Sequence, residues 1–343
     1  MIQMRLLKPS EIRKEEVPAP EPGKNEILIR VAWCGICGSD VHAFHGKHPF
    51  ISTPIVQGHE FSGIVSKLGE GVSTLGVGDR VTVEPSIVDG RCPSCRAGRY
   101  NICRNLRVLG CQLPGAFAEY VLVPAEKVYR LPQEIALKEG VLVEPLAVGI
   151  HAVRRARVTA DENVIVVGAG TIGLMTMMAA KATGCKVLQT DVADYRLRLA
   201  RECGADFTAN AADCELEKEV EEAFGDKGAD VIFECAGTQE SVYQACRAAS
   251  KGTRIVMTAV YTSEMTIPMG IVQDWELELI GTLMYMRQDY ETALRYLQEG
   301  NVRTDLLITH EFQLEELAEA YRAIENPSVE KLKVVIKVSG NGP

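Results

Sequence analysis

The sequence has no apolar run of the ~18–20 residues that a membrane-spanning helix needs. It has no long run of Lys and Arg either. With a net charge of -9 and a pI of about 5.4 it carries no electrostatic footprint for nucleic acid. Its first residues, MIQMRLLKPSEIRKEE, lack the apolar core of a secretory signal, which points to a cytoplasmic protein. Internal repeats and low-complexity segments are absent too. What is there is a globular balance of 46% hydrophobic and 24% charged residues over 343 positions, too many for one ordinary core and about right for two domains. In a reducing compartment the eleven cysteines read as thiols or metal ligands and not as a disulfide frame.

The densest chemistry lies between Trp33 and Phe61, WCGICGSDVHAFHGKHPFISTPIVQGHEF, which holds four of the six histidines. Cys37, His59 and Glu60 offer a thiolate, an imidazole and a carboxylate, a mixture that suits zinc. Structural zinc sites are usually closed by Cys and His alone, so a carboxylate points to a catalytic ion with an open position. Cys34-x-x-Cys37 has the spacing of a thioredoxin-type redox pair, but GSDVHAFHG after it makes a poor long helix, and Cys34 reads as core. His59 and Glu60 are adjacent and would face opposite ways in a regular strand, so joint ligation needs a turn, which Gly58 permits. Glu144, in the apolar VLVEPLAVG, is a second carboxylate that needs a cation or a proton partner. Either Glu60 or Glu144 ligates the ion while the other holds its water. Asp40 is placed to orient His59, and Ser39 and His42 to pass a proton to solvent.

A second cluster is Asp89–Cys103, DGRCPSCRAGRYNIC, with the spacing Cys92-x2-Cys95-x7-Cys103. Three cysteines so close in a loop of Gly, Pro and Arg favour a small structural zinc lobe. The fourth donor is Asp89, which extends the x2 spacing, or Cys111; the alternative is a metal-free loop with three thiols.

Residues 1–150 otherwise read as short β-branched strands, at 26–33, 61–68, 80–84 and 117–123, punctuated by Pro and Gly in the manner of a partly open antiparallel barrel. From about Asp161 strands and helices alternate. The strand Asn163–Val167 runs into Gly168-Ala169-Gly170-Thr171-Ile172-Gly173 and an apolar helix, and the next strand ends at Asp191, 18 residues past the last glycine. Gly168 allows the tight turn, Gly170 lets a pyrophosphate approach the backbone, and Gly173 lets helix and strand pack closely. The N–H groups around Thr171 and Ile172 then meet the phosphates. Asp191 accepts hydrogen bonds from ribose hydroxyls and repels a 2′-phosphate, favouring NAD. Arg196 and Arg198 in the next helix act against that preference, and Arg196 is counted with the cofactor site. The alternation predicts a doubly wound parallel sheet over 151–285, inserted between 1–150 and 286–343 of a catalytic domain. An open zinc with a nicotinamide domain suits oxidation of an alcohol; an NAD-binding sensor without catalysis would have no need of the metal set.

GICGSDVH (35–42), GHEFSG (58–63), GVGDRV (76–81), EPLAVGIHAVRRA (144–156) and VVGAGTIG (166–173) together resemble the zinc-dependent medium-chain alcohol dehydrogenase family over essentially the whole chain, and its polyol branch most, typified by sorbitol dehydrogenase. The resemblance implies a GroES-like β-rich catalytic domain, a Rossmann domain, a cleft between them and a homodimer or homotetramer acting on a small polyol or sugar derivative. It implies Cys37 and His59 as metal ligands, Glu60 as a ligand in the polyol branch, Glu144 where relatives have another ligand or a water-holding acid, and Ser39 as the hydroxyl that touches the substrate alcohol. L-threonine 3-dehydrogenases share most of these motifs, but EPLAVGIHAVRR follows the polyol branch. The chain departs from the pattern twice. Asp89 stands where the lobe has a first cysteine, and Met284-Tyr285 stands where sorbitol dehydrogenases have Arg-Tyr against the polyol, with Arg287 nearby. The implied substrates therefore extend to cyclitols, other sugar alcohols and sugar acids.

Overall fold

The computed structural model describes residues 1–339. They form two compact units, one made of Met1–Glu144 with the stretch from Leu307 on, the other of Pro145–Leu306.

The first unit is built around the strand Glu26–Gly35. It pairs antiparallel with Glu60–Leu68, Tyr120–Pro124 and Lys333–Lys337. The sheet continues outward through Arg80–Val83 and Val128–Arg130 on one side and Ile308–Gln313 on the other. Ile27, Ile29 and Val31 alternate onto a face that also buries Phe61, Val81, Phe117, Val123 and Ile336. Each such side chain contributes about 1.5–3 kcal/mol of transfer free energy. The register has a consequence for chemistry. Gly35 pairs with Glu60, so the chain leaving one strand toward Cys37 lies against the chain entering the next at His59. A hairpin of Ile2–Lys8 and Glu11–Glu16, with Met4 and Leu6 buried, forms a separate small sheet with Ile55–Val56.

The second unit is a six-stranded parallel sheet in the order 207–210, 186–191, 163–167, 231–234, 254–257, 278–281. Order reverses between 163–167 and 231–234, and the carboxyl ends of strands at such a reversal are where open α/β sheets bind ligands. Asn163–Val167 is wholly buried and has no alternation, as a strand covered on both faces requires.

The boundaries of the units differ from 150 and 286. The helix Arg287–Gln298 stays with the second unit because its buried Asp289 is bonded to His151 at 2.8 Å and to Arg154 at 2.7 Å. Both partners lie on the helix Val143–Ala156. Among the described residues no helix is long and apolar enough to cross a membrane.

Candidate metal and cofactor sites

Cys37 ends the extended stretch after Gly35 and caps the short helix Gly38–Phe44. Its N–H donates to Asp40 Oδ2 at 3.0 Å, which fixes the first turn of that helix. Across the sheet, Gly58 takes φ +93°, the turn needed to bring the two neighbouring donors together. A Cβ on Gly58 would lie 2.7 Å from Cys34 Sγ and 3.0 Å from Phe117 N. A second glycine is needed at Gly35, where a Cβ would collide with the Glu60 carboxylate at 2.3 Å. With both in place, donor atoms of Cys37, His59 and Glu60 all lie within 4.8 Å of one another.

Glu144 is buried at the start of its helix but is not part of that group. Of the two carboxylates, Glu60 is the one brought to Cys37 and His59. Glu144 stands near enough to add its field to Lys333.

The group fits a cation. His59 is 6% exposed and Asp40 0%, yet His59 Nδ1 and Asp40 Oδ1 have no hydrogen-bond partner and face each other at 3.8 Å. A carboxylate facing a ring nitrogen is the pair of groups from which a metal-bound imidazole draws its orienting hydrogen bond, here held short of that bond at 3.8 Å. Without the ion, burial pushes the imidazole's proton affinity down, but Asp40 and the thiols of Cys111 and Cys37 outweigh it and hold the pKa well above the usual range. Burial pushes the Asp40 carboxyl up, against the pull of His59. Ser39 Oγ is likewise buried and unpartnered. His42 is half-buried, and burial, then Lys47 and His45, lower its pKa, so it is neutral and able to accept a proton.

One residue beside this group carries no local signal in the sequence. Lys333, 2% exposed, reaches from its strand to bond the Glu60 carboxylate and, at 3.0 Å, the carbonyl of Ile36. Burial lowers its pKa and Glu60 and Cys37 raise it, with a net rise. Glu60 is therefore held by a cation on one side while facing the metal donors on the other.

The loop cluster also assembles. Asp89, Cys92, Cys95 and Cys103 all offer atoms within 4.8 Å of one another. Asp89 Oδ1 accepts from the N–H groups of Arg91 and Cys92, both at 2.9 Å, and Oδ2 from Asn105 at 2.7 Å. Cys92 Sγ lies 3.5 Å from Cys95 Sγ and 3.8 Å from Cys103 Sγ. Cys103 Sγ accepts from the N–H of Asn105 at 3.4 Å. Backbone N–H groups of Arg104 and Cys95 bring the Cys92 thiol down to about 7, while burial and the neighbouring thiols push Cys95 up to about 12. Three thiolates and a carboxylate so close cannot all ionise without a cation between them. Cys111, the other candidate fourth donor, is elsewhere: its thiol is hydrogen-bonded to His59.

In the second unit the glycine loop has the form its spacing predicts. Gly168 has φ +96°. A Cβ on Gly173 would lie 1.8 Å from the Gly168 carbonyl, whereas Gly170 faces open space, the room a pyrophosphate needs. Gly170 caps the helix Thr171–Lys181. Asp191, at the end of its strand, accepts from Ala169 N–H at 2.7 Å and Ala193 N–H at 2.9 Å, and Arg196 Nη1 lies 3.5 Å away. Each carboxylate oxygen retains a lone pair for a ribose hydroxyl. Tyr285 is 1% exposed and packs on Tyr290 with ring centroids 5.6 Å apart, so it belongs to the core of its unit.

The family described as the alcohol dehydrogenase GroES-like domain matches residues 23–133, and that described as zinc-binding dehydrogenase matches 171–299. The chain belongs to the zinc-dependent alcohol dehydrogenase family. This dehydrogenase is 37% identical to sorbitol dehydrogenase of Bos taurus over 97% of its own length and 95% of the relative's. It is 37% identical to L-idonate 5-dehydrogenase of Vitis vinifera, over 85% of the chain and 82% of the relative. Among solved structures, a zinc-binding dehydrogenase of Sinorhizobium meliloti bound to NADP superposes with a TM-score of 0.92 at 33% identity, covering 98% of this dehydrogenase and 99% of that chain.

Proposed function

We propose that this dehydrogenase reversibly oxidises a secondary alcohol of a polyol or sugar derivative to the ketone, with NAD as hydride acceptor. The observation that carries the reading is the meeting of Cys37, His59 and Glu60 donors within 4.8 Å, with the imidazole backed by Asp40. A zinc ion held there would polarise the alcohol oxygen and ease loss of its proton. Gly170 and the first helical turn at Thr171 and Ile172 would hold the pyrophosphate of a nicotinamide dinucleotide, which would supply the hydride acceptor. Ser39 Oγ accepts the alcohol's hydrogen bond, and neutral His42 takes the proton to solvent. Glu144, buried and near enough to Lys333 to act on it electrostatically, would serve as the water-holding acid.

The likeness to an L-idonate dehydrogenase, with Met284 where sorbitol dehydrogenases carry Arg, supports a sugar acid as second reading. A panel of polyols, cyclitols, sugar acids and threonine, followed as NADH appears, tests both. Activity on threonine alone would overturn them.

Two quantities check the bound groups. Purified protein should hold two zinc ions per chain, one for each donor group, and Cys95→Ser should lower this to one. A single ion in the unmodified protein would make the lobe metal-free. Asp191→Asn keeps an acceptor for Ala169 N–H and removes the charge. The ratio of kcat/KM for NAD over NADP should fall about tenfold, equivalent to ~1.4 kcal/mol. An unchanged ratio would remove Asp191 from the ribose site.

We further place the protein in the cytoplasm as a homotetramer. The support is eleven free thiols and the edge strand Glu278–Gly281, paired on one side only, with Val260, Met269 and Leu283 exposed in the same region of the chain. Light scattering after size-exclusion chromatography reads the assembly directly.

A further inference from the structure

The chain at Cys37 and the turn at His59 are joined at one end by the pairing of Gly35 with Glu60. At the other end a single side chain joins them. Gln57, buried and two residues ahead of His59, reaches across to the helix Gly38–Phe44. Its Nε2 donates to the backbone carbonyl of Asp40 at 3.0 Å. Its Oε1 accepts from the hydroxyl of Tyr321, also at 3.0 Å. The backbone of Gln57 is fixed as well, because its carbonyl accepts from Phe117 N–H at 2.9 Å. Tyr321 is wholly buried and belongs to the helix Leu317–Glu325. Its ring stacks on Phe44, with centroids 4.6 Å apart and planes 4° from parallel. The same two helices meet again where Glu325 bonds His45, just past the end of Gly38–Phe44. The helix that carries Ser39, Asp40 and His42 is thus gripped by Leu317–Glu325 through a buried amide, a ring stack and a surface pair.

Asp40 is held at two points by this arrangement. Its carbonyl takes the Gln57 amide, and its Oδ2 takes the Cys37 N–H at 3.0 Å. That leaves Oδ1 alone to face His59 Nδ1 at 3.8 Å. A short side chain has little room to shift once its backbone and one oxygen are committed. Glutamine suits position 57 because it carries a donor and an acceptor at the tip of one stem, and both are used. An apolar residue there would take away the partner of a buried hydroxyl, which water cannot replace. We propose that Gln57 and Tyr321 are positioning residues for the metal centre: they set the place of Asp40 behind the His59 imidazole and the spacing of Cys37 from His59, and with these the rate at which the ion is released. The inference rests on the reading that Cys37, His59 and Glu60 hold the metal. Neither Gln57 nor Tyr321 belongs to the donor group; both act through Asp40.

Zinc release from the full chain to a chromophoric chelator tests this without reference to turnover. Release should run in two phases, one from each donor group, and the phase missing in Cys37→Ser identifies the site at Cys37. Gln57→Met keeps the stem and loses both polar atoms; Tyr321→Phe loses one bond and keeps the stack on Phe44. The first should speed the Cys37 phase about tenfold and the second about threefold, as loss of two or one buried hydrogen bonds predicts. The double variant should be no faster than Gln57→Met, because Tyr321 acts through Gln57. The lobe phase should keep its rate in all three, which a general loosening of the fold would not allow. Unchanged release from both single variants would overturn the proposal, and so would equal acceleration of both phases. Acceleration by Gln57→Met alone would overturn the part given to Tyr321. If Gln57→Met fails to fold, Tyr321→Phe decides by the same criteria. If Cys37→Ser keeps both phases, the metal reading itself fails and takes this inference with it.

Discussion

Replacing Cys37 with Ala should lower alcohol oxidation by at least ~10³-fold, because a bound Lewis acid contributes several kcal/mol to stabilising the developing charge. The same variant should carry one metal ion fewer per chain. The backbone around position 37 survives the change: the N–H of residue 37 still donates to Asp40, and the helix Gly38–Phe44 keeps its first turn. The loss is therefore assignable to sulfur. The proposed nucleotide site lies in the other compact unit, with Gly168, Gly170 and Asp191 untouched, so NADH binding, read by fluorescence, should stay within twofold of the unmodified protein (roughly 0.4 kcal/mol). Full turnover by a metal-depleted Cys37→Ala protein would end the zinc mechanism, whereas loss of NADH binding would mean the variant had misfolded.

Local patterns in the chain carried much of this architecture. The parallel sheet is legible because each strand is a short buried run followed by a helix, and the glycine loop announces itself by spacing. The turn at Gly58 followed from the need to aim two adjacent donors at one point, and its φ of +93° meets that need. The strands Ile2–Lys8 and Glu11–Glu16 were harder to see, since EIRKEE has little intrinsic strand preference and is ordered by its partner. Ile308–Gln313 was missed for a related reason: it pairs parallel with Lys333–Lys337 across an intervening helix. That Glu60, and not Glu144, lies beside Cys37 and His59 depends on the register of Gly35 with Glu60, a long-range fact no local motif contains. Cys111 and Lys333 depend on tertiary placement in the same way. Lys333 sits in an unremarkable alternation, LKVVIK, 273 residues from its partner.

That lysine gives the other large effect. Lys333→Met keeps the side chain's length and apolar stem but leaves the Glu60 carboxylate, 1% exposed, and the Ile36 carbonyl without their donor. Breaking one side of a buried pair costs ~3–5 kcal/mol, because the remaining charge stays desolvated. In metal-free protein this should lower Tm by roughly 10 °C. With zinc added the deficit should shrink, since Glu60 is also one of the three donors that would hold the ion, and a divalent cation would offset the lost ammonium. The diagnostic quantity is thus the difference between two differences: the gap between unmodified and Lys333→Met protein in chelator, and the same gap with zinc. If the gap is the same in both conditions, Lys333 is only packing, and Glu60 is not shared between it and the metal. If the gap narrows on zinc binding, the buried ion pair is what keeps the carboxylate positioned before the metal arrives.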